Sequence, residues 1–248
     1  MNYVLLIHRS ENQPVTKEEG EAVSARYLAF TREIASAGKM GDAARLQPTR
    51  TATTVRVREG KRIVTDGPFA ETREQLGGYY VVKTETIDEA IDLAAKLPNA
   101  TDGSIEVRPV AGFATPHNAP GAAPPPKKEG VEYALLIHDR EADWAKLGEA
   151  EVKALLARYA AFAIETRATG TTVEGAPLVA TTQAKTVRIR DGKRLVTDGP
   201  FAETREQLGG YMRVRARDLD EALDLAARIP AAEVGCIEVR PIHPMPAP

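Results

Sequence analysis

A single cysteine, Cys236, stands in 248 residues. No intramolecular disulfide can form, and a chain without one suits a reducing compartment, so the expected location is cytoplasmic. No apolar run approaches the roughly 18 residues of a membrane span, which argues against a membrane partner. The start, Met1-Asn2-Tyr3-Val4-Leu5-Leu6-Ile7-His8-Arg9, has no basic n-region and meets charge before a signal core is complete. These first residues are therefore read as part of the fold. Excess positive charge is missing too: 33 Lys and Arg face 35 Asp and Glu, with 15 against 16 in residues 1–110 and 16 against 18 in residues 131–248. Neither half can bind a phosphate backbone on charge alone, so nucleic acid is not expected as a partner. The sequence also lacks HExxH or other metal-ligand spacings, GxSxG, a P-loop and a dinucleotide fingerprint. Gly77-Gly78 precedes a strand rather than a helix and is no phosphate loop. No metal and no cofactor are assigned.

What is present is a globular composition, 43% apolar and 27% charged, and a chain written twice. Tyr3-Val4-Leu5-Leu6-Ile7-His8 returns as Tyr133-Ala134-Leu135-Leu136-Ile137-His138 at an offset of 130, and from Arg26-Tyr27 onward the offset is 132. Residues 60–79 match 192–211 at 19 of 20 positions, whereas residues 25–38 of the first helix match 157–170 at 7 of 14. The organisation read from this is a repeat over 1–110, a Pro/Ala/Gly-rich linker over 111–130, a second repeat over 131–242 and a Pro-rich tail over 243–248. A linker of 20 residues reaches roughly 25 Å as a coil and about 60 Å extended, enough for the copies to dock.

Each copy reads β-α-β-β-β-α-β. Residues 2–8 form a strand; Thr16-Lys17-Glu18-Glu19 fits a capping box, with Val23, Tyr27, Phe30 and Ile34 on one helical face until Gly38. Residues 54–58 alternate with period two, and Glu59-Gly60 turns them back through 62–65 as a hairpin. A strand over 78–83, a helix capped at Thr86 and ended by Pro98, and a last strand over 105–109 complete the copy. With the hairpin set aside this is the split βαβ pattern, an antiparallel sheet with helices on one face. Strands that are apolar on both faces, such as 3–7, require a cover on the second face. The expected class is α+β: two ferredoxin-like repeats packed sheet to sheet as a pseudo-dimeric α/β barrel, an intramolecular pseudo-dimer.

Leu5-Leu6-Ile7, Thr51-Ala52-Thr53-Thr54-Val55-Arg56 and Asp66-Gly67-Pro68-Phe69-Ala70-Glu71-Thr72-Arg73-Glu74-Gln75-Leu76-Gly77-Gly78-Tyr79 resemble the DGPF-type branch of the YCII-related family, in both copies and over about 220 residues. The resemblance implies a ferredoxin-like unit of the dimeric α/β-barrel class. It implies less about activity: some wider relatives look like small-molecule lyases or dehydrohalogenases with a His and Asp pair, and DGPF proteins are often encoded beside extracytoplasmic-function sigma factors. A regulatory, non-catalytic partner of such a factor is thus the alternative to a small-molecule site. Where the wider family tends to place its histidine on the first helix, this chain has Tyr27 and Tyr159, so that pair does not carry over. Copy two also departs, with Thr181-Thr182-Gln183-Ala184-Lys185-Thr186 in place of the Thr-Ala-Thr-Thr segment.

The candidate catalytic set is His8, Asp66, His138 and Asp198. Asp66 and Asp198 sit at a bend forced by Gly and Pro, where a carboxylate either caps backbone N–H groups or serves as base or anchor at a cavity mouth. His8 and His138 end the first strand of each copy and have the ordinary pKa best suited to acid/base work. Glu106 and Glu238 of the last strand fall near that end, as an ion pair or an imidazole-orienting group. Arg73 and Arg205 are candidate anion holders through their planar donors. Tyr27 and Tyr159 are candidate ligand contacts, with core lining as the competing reading. Arg56, Arg58, Arg188 and Arg190 read as a solvated strand face. The expected ligand is a small polar or anionic molecule, and the expected chemistry, where there is any, is cofactor-independent and lyase-like.

Overall fold

The computed structural model describes residues 1–12, 16–69, 74–111, 126, 128–202 and 206–244. Copy one runs β1 (Asn2–Arg9), α1 (Lys17–Ser36), β2 (Met40–Arg45), β3 (Thr53–Arg58), β4 (Lys61–Asp66), β5 (Gln75–Lys83), α2 (Ile87–Lys96) and β6 (Ser104–Pro109). Copy two runs β7 (Val131–Asp139), α3 (Glu141–Trp144), α4 (Glu149–Ala168), β8 (Thr172–Pro177), β9 (Lys185–Arg190), β10 (Lys193–Asp198), β11 (Gln207–Ala216), α5 (Leu219–Arg228), α6 (Ala231–Val234) and β12 (Cys236–Pro241). The short α3 fills the loop in which copy two carries its extra residues.

Local chemistry sets the helix ends as the spacing predicts. The Thr16 hydroxyl accepts from the Glu19 N–H at 3.2 Å, and the Glu19 carboxylate accepts from the Thr16 N–H at 2.8 Å. Gly38, at φ +68°, takes the left-handed position just past α1. One strand per copy, β2 and β8, is absent from the sequence reading. Met40-Gly41-Asp42-Ala43-Ala44-Arg45 has no β-branched or aromatic residue, so nothing local signals a strand. Pairing with β5 imposes it, and small residues are required there: a Cβ on Gly41 would lie 2.9 Å from the Val81 carbonyl oxygen.

The two six-stranded sheets have the orders β10-β9-β6-β1-β5-β2 and β4-β3-β12-β7-β11-β8. Each sheet therefore ends in a hairpin from the other copy. β9 pairs with β6 (Ile105 opposite Val187) and β3 pairs with β12 (Ile237 opposite Val55). The alternation of β1 divides the core into layers: Tyr3, Leu5 and Ile7 pack with Phe30, Ile34 and Ile91 under the helices, while Val4 and Leu6 pack against Leu136 and Tyr211 of the other sheet. Tyr79 and Tyr211 meet in this middle layer with ring centroids 4.4 Å apart. The sheets thus face one another across a pseudo-twofold, giving two ferredoxin-like repeats in an α+β fold. Among the described residues no helix is long and apolar enough to cross a membrane.

Candidate functional site

The duplicated motif has matching conformations in the two copies. Gly67 and Gly199 adopt φ +97° and +93°, a region open to glycine, and their N–H groups each donate to the carbonyl of Ala52 or Ala184 at 2.9 Å. Thr54 and Thr186 hydroxyls return a hydrogen bond to the Gly67 and Gly199 carbonyls at 3.0 Å. The bend then delivers a phenylalanine to the opposite repeat. The Phe69 N–H donates to Glu238 at 3.0 Å, and the Phe201 N–H donates to Glu106 at 2.9 Å.

These glutamates belong to Glu106-Val107-Arg108 on β6 and Glu238-Val239-Arg240 on β12. Alternation sends the valines under the helices and turns Glu and Arg together towards the opposite sheet. All four charged groups are buried: Glu106 is 3% exposed, Arg108 2%, Glu238 4% and Arg240 1%. Each Arg forms two hydrogen bonds with its Glu, the Nε contacts measuring 2.8 Å in copy one and 2.9 Å in copy two. Arg108 also donates to the Leu208 carbonyl at 2.5 Å, and Arg240 to those of Leu76 at 3.0 Å and Gln47 at 3.2 Å. Burying such a pair carries a heavy desolvation cost, offset here because backbone groups of the other repeat satisfy the remaining donors and acceptors.

Between these pairs lies a cavity of about 100 Å³, lined symmetrically by Leu6 and Leu136, His8 and His138, Phe69 and Phe201, Gln75 and Gln207, Leu76 and Leu208, and the two Glu-Arg pairs, with Thr181, Pro200 and Ala202 from copy two alone. His8 stacks on Phe201 at 4.4 Å between centroids, and His138 on Phe69 at 4.6 Å. Both residues are half-buried overall, and each Nε2 is sealed from solvent with no hydrogen-bond partner. Burial lowers both imidazoles to about 4; Glu106 and Glu238 oppose that shift, while Arg108 and Arg188 reinforce it at His8, and Arg240, Arg108 and Arg56 at His138. Both rings are therefore neutral at pH 7. Behind them Ser104 donates to Glu74 at 2.9 Å, and its counterpart Cys236, a thiol pushed up to about 12 by burial, lies 3.7 Å from Glu206.

The structure brings His8 and His138 together and leaves the other sequence candidates outside. Asp66 ends β4, whose six residues are all exposed, and Asp198 is 87% exposed in a pair with Lys185 at 2.5 Å. Neither lines the cavity, because the hairpin puts its bend residue at the rim and sends only the following Phe inward. Nothing among the described residues explains why Asp occupies position 66. Tyr27 and Tyr159 lie on the helix side of their sheets, away from the cavity, as core-lining groups with phenols raised by burial; Tyr27 donates to Asn99 at 2.5 Å. Arg73 and Arg205 fall outside the described residues. Arg58 and Arg190 are not a solvated face: Arg58 holds the carbonyls of Ala232, Glu233 and Gly235 at 2.8–2.9 Å, and Arg190 those of Ala100, Thr101 and Gly103 at 2.8–3.0 Å. The Glu residues pair with arginine rather than with histidine. Arg108, Arg240, Phe69 and Phe201 are site residues that sequence reasoning passed over; the signal was an E-x-R alternation on a strand whose second face had to be covered.

Fold and site together define a class: a fused pair of ferredoxin-like units with one shared cavity on the pseudo-twofold. The chain belongs to the YCII-related family, whose domain model matches residues 1–114 and 131–246. An uncharacterised protein of Rhizobium meliloti (strain 1021) is 46% identical over 115 residues, which is 45% of this chain and 93% of that protein, so it has the length of one repeat. Among solved structures, chlorite dismutase from Candidatus Nitrospira defluvii in complex with imidazole overlaps 98% of this chain and 90% of its own, at 7% identity and a TM-score of 0.45. A two-residue mutant of that enzyme overlaps 98% and 91%, at 9% identity and a TM-score of 0.47. Likeness at that level speaks to neither ligand nor reaction.

Proposed function

We propose that this chain binds a small polar molecule in the cavity on its pseudo-twofold, with His8 and His138 as proton-accepting groups for cofactor-independent acid/base chemistry. The observation that carries this reading is the pair of sealed, partnerless Nε2 atoms in the cavity wall. Buried polar nitrogens are rarely left without a partner, and a ligand atom would supply one. Glu106 and Glu238 act as anchors in this reading rather than bases, since arginine donors and a Phe N–H already occupy their carboxylate oxygens. Proton transfer then falls to the imidazoles, which are neutral at pH 7 and so keep one nitrogen able to accept a proton, and the Phe rings that stack on them fix their orientation.

The test is a ligand screen by saturation-transfer NMR on the full chain and on the His8→Phe/His138→Phe double variant. Binders should be found with the parent and lost with the variant, while the thermal midpoint stays or rises, because the substitution removes two unsatisfied nitrogens. Binders retained by a folded double variant place the site elsewhere. A bound molecule that is converted identifies an enzyme; one recovered unchanged identifies the sensor reading.

A further inference from the structure

The charges around the cavity are unevenly matched. Glu106 is matched by Arg108 and Glu238 by Arg240, so these cancel. Two further guanidiniums stand close by without a carboxylate partner among the described residues. Arg188 of β9 lies 5.9 Å from the centre of the Phe201 ring that stacks on His8, and its repeat Arg56 of β3 acts on His138. Of the described elements around the imidazoles, β6 and β12 contribute one cation and one anion each to the lining, the Gln75 and Gln207 side chains of β5 and β11 are uncharged, β3 and β9 bring one cation each just outside it, and β1 and β7 carry Arg9 and Asp139 next to the histidines. Glu74 and Glu206 sit a layer behind, engaged by Ser104 and Cys236. The lining charges thus sum to zero, and Arg56 and Arg188 stand just outside them as unmatched cations.

Donors and acceptors point the same way. The carboxylate oxygens in the wall are already occupied by arginine and by the Phe69 and Phe201 N–H groups. A cationic or donor-rich ligand would find few acceptors left. A neutral imidazole, by contrast, can present Nε2–H as a donor, and here two such groups are related by the pseudo-twofold. Size points to a small occupant: about 100 Å³ is two thirds of the roughly 150 Å³ that accommodates benzene, so about four non-hydrogen atoms fill the space.

We infer that the occupant is one small carboxylate anion per chain, seated between His8 and His138 with one oxygen towards each imidazole. This rests on the cavity being the binding site and deepens that reading. It makes the fusion functional as well as structural, since two copies build a single seat and the expected stoichiometry is one rather than two. The charge of the anion also favours protonation of the rings it touches, so binding draws a proton into the site as the pH falls.

The experiment is a titration of the full chain, labelled with 15N-histidine, using acetate and its neutral isostere acetamide as probes. Acetate should move the His8 and His138 imidazole signals together, saturate at one per chain, and raise the imidazole pKa by about 1–3 units, as expected for a unit charge a few ångströms away in a screened interior. Acetamide should bind at least tenfold more weakly, and Arg56→Gln/Arg188→Gln should weaken acetate by tenfold or more while the fold, read by amide spectra, persists. Acetamide binding as tightly as acetate, or two acetates per chain, overturns the inference while leaving the cavity as the site. Imidazole signals that respond to neither probe overturn the cavity reading as well.

Discussion

His8 and His138 each pay for their place with a lost protonation, and that loss is measurable. In the unfolded chain an imidazole titrates near 6.5, and in the fold burial lowers it to about 4. Between those values the unfolded state holds more protons, so these two groups make stability rise with pH from about 4 to 6.5 and fall as the pH is lowered through that window. Both residues are only half-buried overall, which reduces the effect to about 2–3 kcal/mol for the pair between pH 7 and pH 5. Buried Asp139 and half-buried Asp42 and Glu174 have pKa values raised by desolvation and slope the other way. They are common to parent and variant, so a comparison cancels them. Urea unfolding at pH 7 and pH 5 should show the His8→Phe/His138→Phe variant losing less stability than the parent; equal losses would mean that the imidazoles are not desolvated. The glycines beneath them are as exacting: a Cβ on Gly103 would lie 2.1 Å from the His8 carbonyl oxygen, and one on Gly235 2.0 Å from that of His138.

At the scale of elements the decisive unit is the hairpin β3–β4 with its repeat β9–β10. Its outer strand is exposed along its whole length, yet the segment from this strand to the start of β5 matches its repeat at 19 of 20 positions. The exchange accounts for part of that match. The bend must place a Phe N–H on a glutamate of the other copy, Arg58 and Arg190 must reach the loop before β12 or β6, and Arg62 and Arg194 pair with Asp224 and Asp92 across the same boundary. Arg58 satisfies three carbonyls of the other copy with one planar group, which a lysine cannot reproduce. Arg58→Lys and Arg58→Ala should each lower stability by about 1–3 kcal/mol, read as a drop in urea midpoint, with amide exchange accelerated first around Gly235. An Arg58→Lys protein with unchanged midpoint and exchange would reduce these contacts to surface decoration.

For the whole molecule the exchange means that neither repeat is self-sufficient. Each β6 or β12 needs the other copy's hairpin as its neighbour, and the middle layer of Val4, Leu6, Tyr79, Leu136 and Tyr211 exists only between sheets. Introducing a protease site within residues 112–125 and cutting there should leave the halves associated, eluting at the parent's size and separating only in denaturant. The first half expressed alone should dimerise by the same exchange or fail to fold, since a lone repeat exposes the apolar middle layer. Two folded monomers after cleavage would contradict the architecture. The one-repeat length of the Rhizobium meliloti relative fits a scheme in which fusion joined a pair.

Much of this was legible in residue order, and the illegible part has a physical reason. The repeat, the helix caps at Thr16 and Thr86, the hairpin turn at Glu59-Gly60 and the need to cover a second apolar sheet face are local or periodic properties, carried by neighbours along the chain. The strand β2 was hidden because its small residues answer to β5 rather than to their own propensity. The sequence reading offered Asp66 to the cavity mouth and gave Phe69 no role, because two residues three apart in one motif point to opposite destinations, one to solvent and one into the other copy. That His8 and His138 share one cavity and that each hairpin completes the opposite sheet depend on contacts between residues about a hundred or more apart, and the i, i+2 pairs of Glu106 with Arg108 and Glu238 with Arg240 are buried only by the opposite copy. Only the closing of the two sheets on each other decides those, because it alone sets which side chains lose water and which partners they meet.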